Sequence, residues 1–182
     1  MEDNIMNTLQ ITQFIANIAV TVTFIAIFIQ SFIALRTYRD SIKQKKRDRT
    51  LIIINKWNQL DFAALRRSVM LYFNKLQDKT IEGIGSKVET DYEIRGKVCF
   101  ILNVLEEIAV GINRNIIDFD ITYGFFQPVA TFYFEMLHPF VNWQQKTYQD
   151  DSVFIEVERM YQLFIQKNSE KYSIPPGRYW RV

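Results

Sequence analysis

Few side chains in this 182-residue chain are of a type and spacing that could do chemistry. Glu106 and Asn103 are the best placed, within "LNVLEEIAVGINRNIIDFD" at 102–120. They sit about one helical turn apart, so a carboxylate and a carboxamide meet on one strip of helix. Such a strip can bind a basic group of a ligand or partner. It can also be a structural network in which Glu106 accepts hydrogen bonds from Arg66, Arg67 or Arg114. Charges are seldom buried unless paired, which favours the network. Glu106 and Glu107 are adjacent and diverge around the helix, so they form a poor acid/base pair.

The rest of the inventory excludes classes of enzyme. His138 is the only histidine and Cys99 the only cysteine. One of each allows no internal disulfide, no Cys-rich zinc site and no Ser-His-Asp triad. His138 precedes Pro139 and reads as a packing residue; Cys99 reads as an inert core thiol. The "GIG" at 83–85 lacks the strand, turn and lysine of a phosphate loop. No catalytic residue, metal or cofactor is expected.

These residues need elements to hold them, and the first element is set by charge. Between Asn4 and Leu35 no side chain is ionisable. Ile11–Leu35 is rich in Ile, Phe, Val and Ala, and a transmembrane helix needs about 20 such residues. A cleaved leader would want a basic start and a short apolar core, but the start here is acidic and the core long. Arg36, Arg39, Lys43, Lys45, Lys46, Arg47 and Arg49 come directly after it, opposed only by Asp40 and Asp48. Residues 50–182 hold fifteen Lys/Arg against sixteen Asp/Glu. The basic surplus is therefore local, and no nucleic-acid surface is expected. Basic residues gather on the cytoplasmic side of a span, where they also meet anionic lipid headgroups without selectivity. The expected layout is a short extracytoplasmic N-terminus (1–10), a span (11–35), a basic juxtamembrane segment (36–50), a cytoplasmic domain (51–168) and a tail (169–182). Within the span, Gln13, Asn17 and Thr21 recur every fourth residue on one face, which suits association with a second copy or another span.

Beyond residue 50 the apolar spacing is helical. Phe62, Leu65, Val69, Tyr72, Phe73 and Leu76 form one face, with Asp61 as a candidate N-cap. Residues 78–90 read as a loop. "TDYE" at 90–93 reads as a capping box with Thr90 as N-cap. Val98, Ile101, Leu102, Leu105, Ile108, Ala109 and Ile112 form the strongest stripe, widened by Phe100 and Val104. Asp118 or Asp120 opens the next helix, with Phe125, Val129, Phe132, Met136, Phe140 and Trp143 on one face. Pro128 and Pro139 should kink or divide it. Asp150, Asp151 or Ser152 should cap a last helix carrying Val153, Val157, Met160, Tyr161 and Phe164 inward. The expected fold is all-α: one transmembrane helix, then a bundle of about four or five helices.

The 102–120 segment resembles a bacterial family of membrane-anchored helical proteins of unknown function. The matching positions are Asn103, Glu106, Ala109, Gly111 and Asp118. The resemblance implies the anchor-plus-bundle layout and brings no substrate. The expectation is a non-enzymatic interaction or sensor protein of the bacterial cell membrane that self-associates or holds a protein partner. The alternatives are a membrane-perturbing effector of a stress or phage-defence system, and a membrane-surface enzyme with its polar site near Glu106. The aromatic, basic "RYWRV" end is read as a tail packed on the bundle or loose, with membrane docking as the alternative.

Overall fold

A computed structural model describes residues 2–172. The tail beyond, with its "RYWRV" end, lies outside the described residues. Among the described residues there are six α-helices and no strand: α1 (Glu2–Asn58), α2 (Leu60–Lys75), α3 (Ile81–Thr90), α4 (Tyr92–Asn113), α5 (Phe119–Tyr148) and α6 (Ile155–Tyr172). The chain divides into two compact units, one up to Lys45 and one from Lys46 onward.

The first unit is a single helical segment. From Phe14 to Leu35 every side chain described is exposed, including Phe24, Phe28 and Phe32. This stretch is apolar and long enough to cross a membrane. Thr21 and Thr23 turn their hydroxyls onto their own helix, donating to the carbonyls of Asn17 (2.9 Å) and Ala19 (2.8 Å). Thr21 is thus satisfied within the helix, and the uncommitted polar groups of its face are the amides of Gln13 and Asn17.

The second unit is a bundle built around α4. Val98, Ile101, Leu102, Leu105 and Ile108 are fully buried, as their spacing predicts. Helix α2 packs on α4, α3 packs on α4 and α5, and α6 lies across both α4 and α5. At one end Trp57 is almost wholly enclosed, and the rings of Phe62, Phe126 and Tyr133 approach it edge-on at 4.9, 5.4 and 5.7 Å. Edge-on pairs add to the area term of burial.

Several local expectations are corrected. Residues 78–90 are not all loop, because α3 occupies Ile81–Thr90. Thr80 caps it, accepting from the Gly83 amide at 3.0 Å, and Asp78 holds Thr80 in place through its backbone N–H and hydroxyl. Gly85 is where α3 meets α5: a Cβ there would lie 1.9 Å from Trp143 Cγ, so only glycine permits the approach. Thr90 is therefore the last residue of α3, not a cap. Its hydroxyl donates back to the carbonyls of Ser86 and Lys87. Asp91 caps α4 instead, accepting from the Ile94 amide at 3.1 Å, and Glu93 pairs with Lys97.

Asp61 does not cap α2 either. The chain breaks at Gln59, which is extended, and Asp61 sits in the first turn, where the helix dipole favours a carboxylate. Pro128 and Pro139 do not divide α5, which runs through both. That helix buries Tyr123, Phe126, Ala130, Phe134, Leu137 and Phe140, leaving the expected Phe125, Val129, Phe132, Met136 and Trp143 half-buried on its flank. Phe100 is exposed, with its edge against Phe62. Asp150 holds a turn through Ser152, and α6 starts later, at Ile155.

The one-residue shift at the α3–α4 junction is testable. Asp91→Ala should cost about 1 kcal/mol, the usual loss for a side-chain N-cap. Thr90→Ala should cost no more than a few tenths, since it removes only an exposed hydroxyl. Urea unfolding of the full chain in mild detergent, followed by circular dichroism, measures both.

Candidate functional site

The site is a groove of the second unit, between the last turns of α1 and one face of α4. Three bonds set its geometry. Lys46 Nζ donates to Asn115 Oδ1 at 2.7 Å, and Lys56 Nζ meets Glu107 Oε2 at 3.1 Å. Lys46 thus meets the chain just past the C-terminal end of α4 while Lys56 meets Glu107 within it, so the last turns of α1 run antiparallel to α4. Between them Thr50, 1% exposed, accepts from the Asp118 amide at 2.8 Å and donates to the Lys46 carbonyl at 2.8 Å. Asp118 also caps α5 by accepting from the Ile121 amide, and its other oxygen lies 3.8 Å from Arg47 Nε. Asn115, at φ 54°, turns the chain out of α4, a conformation asparagine tolerates well.

The groove encloses about 630 Å³, within the range of small-molecule sites. Ile52, Ile53, Val110, Ile116 and Ile117 make its walls, with Gly111 in the floor. The polar lining is Arg49, Asn103, Glu106 and Glu107. Asn103 and Glu106 therefore share one groove, as their spacing suggests. A Cβ at Gly111 would come within 3.0 Å of Ile117 Cδ1, which gives this glycine a packing reason.

The expected arginine partners of Glu106 are elsewhere. Arg66 lies over the rings of Trp57 (4.4 Å) and Phe62 (5.2 Å), and its buried Nε has no hydrogen-bond partner. Burial lowers its pKa, while aromatic faces offset part of the lost hydration. Arg67 is exposed on α2, and Arg114 is exposed at the C-cap of α4. Among the described residues no cation lies within ion-pair distance of Glu106. Partial burial pushes its carboxyl pKa up, and the Glu156 carboxylate across α4 adds to the effect. Glu107 is held by Lys56, and Glu156 by Arg159. Glu106 is thus the uncompensated carboxylate of the groove.

The basic cluster is divided. Lys46 and Arg47 bond to the α4–α5 corner, and Arg49 lines the groove without an ion-pair partner among the described residues. Arg36, Arg39, Lys43 and Lys45 are exposed. His138 packs beside Phe134, and Cys99 is half-buried with its thiol pKa raised by burial. No group of His, Cys, Asp and Glu among the described residues could hold a metal. Sequence reasoning missed Thr50, Asn115 and the Lys56–Glu107 pair. Thr50 opens the run "TLIII" and carried the only local signal, a hydroxyl amid apolar neighbours.

An all-helical domain placed after an apolar helix and presenting one polar-ended groove is the class this geometry defines. Residues 21–164 match the model of a domain of unknown function, DUF4760, and the chain belongs to that family. No curated protein and no solved structure matches it.

The raised Glu106 pKa fixes the sign of a pH effect. The folded chain holds this proton above the ordinary value near 4.5, where the unfolded chain has released it. Glu106 therefore subtracts stability as pH rises from that value through its raised folded pKa. Glu106→Gln should flatten that decline and stabilise the protein at pH 7. The gain should stay under about 1 kcal/mol, since the side chain is partly solvated. Urea midpoints of both proteins at pH 4 and pH 7 in the same detergent check it.

Proposed function

We propose that this is a single-pass membrane protein, non-enzymatic, whose helical domain is a binding or sensing module on the cytoplasmic side. The observation that carries the proposal is the bare apolar segment. A helix exposing Phe14, Ile18, Phe24, Phe28 and Phe32 to water would be an aggregation site, and a bilayer removes that cost. The basic residues from Arg36 onward favour a cytoplasmic domain and attract anionic headgroups without selectivity. The resemblance of residues 102–120 to a bacterial family supports reading that bilayer as a bacterial cell membrane. The groove with Glu106 uncompensated is the binding element. Its charges lack the nucleophile-and-base pairing that acyl or phosphoryl transfer needs.

Topology is tested by fusing alkaline phosphatase and a fluorescent protein, separately, to Val182. Bright fluorescence with no phosphatase activity is expected; the reverse pattern would put the domain outside.

The span is also proposed to self-associate through Gln13 and Asn17. Hydrocarbon offers these amides no partner, and a hydrogen bond between spans is worth about 0.6–2 kcal/mol. With Thr21 bonded to its own helix, Asn17 should contribute most. Asn17→Leu should weaken association in a membrane two-hybrid assay, whereas Thr21→Leu and Thr23→Leu should change little. Equal association in all four proteins would remove the amide seam.

A further inference from the structure

The two charges of the groove without an ion-pair partner among the described residues are of opposite sign and are offset along it, Arg49 on α1 and Glu106 on α4. The antiparallel register places Arg49 near the Asn115–Ile117 corner and Glu106 near the Lys56–Glu107 pair. From Arg49 to Lys56 is seven residues of α1, or about 10 Å along the helix. The wall between the charges is isoleucine and valine. Neither charge has an ion-pair partner among the described residues, and the Lys56–Glu107 and Arg159–Glu156 pairs beside them are already made. A ligand suited to this lining carries a cation, an apolar middle and an anion in line, its length matched to that offset of about 10 Å between backbone levels.

We propose that the groove binds a short apolar peptide of about three residues with both termini free. A lone amine would leave Arg49 unanswered, and a lone fatty acid would leave Glu106 unanswered. A single amino acid is too short. An extended chain covers about 3.3–3.6 Å per residue, so three residues span the groove. The N-terminal ammonium would meet the Glu106 carboxylate and the Asn103 carbonyl oxygen. The C-terminal carboxylate would meet the Arg49 guanidinium, the side-chain cation best shaped for it. Apolar side chains would lie on Ile52, Val110 and Ile116. No bond forms or breaks. This inference rests on the reading of the groove as the binding element and names its ligand class.

The test uses the full chain in phosphatidylcholine nanodiscs, with empty nanodiscs as the control for partitioning. Tri-leucine is titrated by calorimetry, then N-acetyl-tri-leucine and tri-leucine amide. Saturable binding to the protein alone is expected. Each cap should weaken it about tenfold or more, the scale of one lost charge-assisted hydrogen bond. Glu106→Gln should produce the loss seen with the N-acetyl cap, and Arg49→Gln that seen with the amide. Unfolding midpoints measured on both variants show that they are folded. Binding indifferent to both caps, or to both substitutions, would overturn the assignment of the ends. Leucine amide and N-acetyl-leucine, one charge each, separate the two levels of the argument. If either binds in a Glu106- or Arg49-dependent way while tri-leucine does not, the peptide is wrong and the groove stands as a binding element. If none of the three binds, both readings fall.

Discussion

The hydroxyl of Thr50 ties the last turns of α1 to the corner between α4 and α5, and the groove lies beside that tie. It is a buried polar group, and it survives burial because it is bonded on both sides, to the Asp118 amide and to the Lys46 carbonyl. Asp118 is itself the cap of α5, so one hydroxyl ties the last turns of α1 to the first turn of the longest bundle helix. Lys46 on Asn115 and Arg47 near Asp118 reinforce the same corner from the surface. Valine in place of Thr50 would keep the shape but leave the part-buried Asp118 N–H without its acceptor. Such orphaned groups cost about 1–3 kcal/mol, more than the surface ion pairs nearby supply.

That corner explains why the groove exists at all. The last turns of α1 are held to the α5 cap through Thr50 and to α4 through Lys56–Glu107, and the groove lies between those two ties. Gly111 borders the groove, and Ile117 fills the space beside it. A larger residue there would push against Ile117, which would have to give by a few tenths of an ångström. The polar groups are then fixed by helical register alone. Asn103, Glu106 and Val110 succeed one another at three and four residues along α4, and Arg49, Ile52 and Ile53 keep similar spacing along α1.

The sequence was legible where one physical rule acted alone. The α4 stripe is a simple period over fifteen residues, and its core positions are buried as spacing requires. The apolar segment before Arg36 is equally plain. Legibility failed where two rules competed. Gly83 and Gly85 weigh against a helix, and only the tertiary demand of Trp143 at Gly85, with the Thr80 cap, explains why α3 forms. At 90–91 two residues capable of capping stand side by side, and the extra length of α3 gives the role to Asp91. On α5 the apolar residues do not keep to one face, because the helix packs against both α3 and α6 and its buried set spans more than one face.

The site divides along the same line. Asn103 with Glu106 could be read from spacing, because both lie on one helix. The partner of Glu106 could not, because pairing depends on which helix faces α4 at that level. Three arginines were available in the sequence, yet the Arg66 guanidinium lies over the rings of Trp57 and Phe62 instead. The physical result is a separation of roles. The arginine with aromatic company packs on the core, and the carboxylate beside the groove keeps its charge uncompensated. An uncompensated charge at the edge of an apolar cleft lowers stability. In a binding element that cost is recovered when the ligand supplies the missing partner.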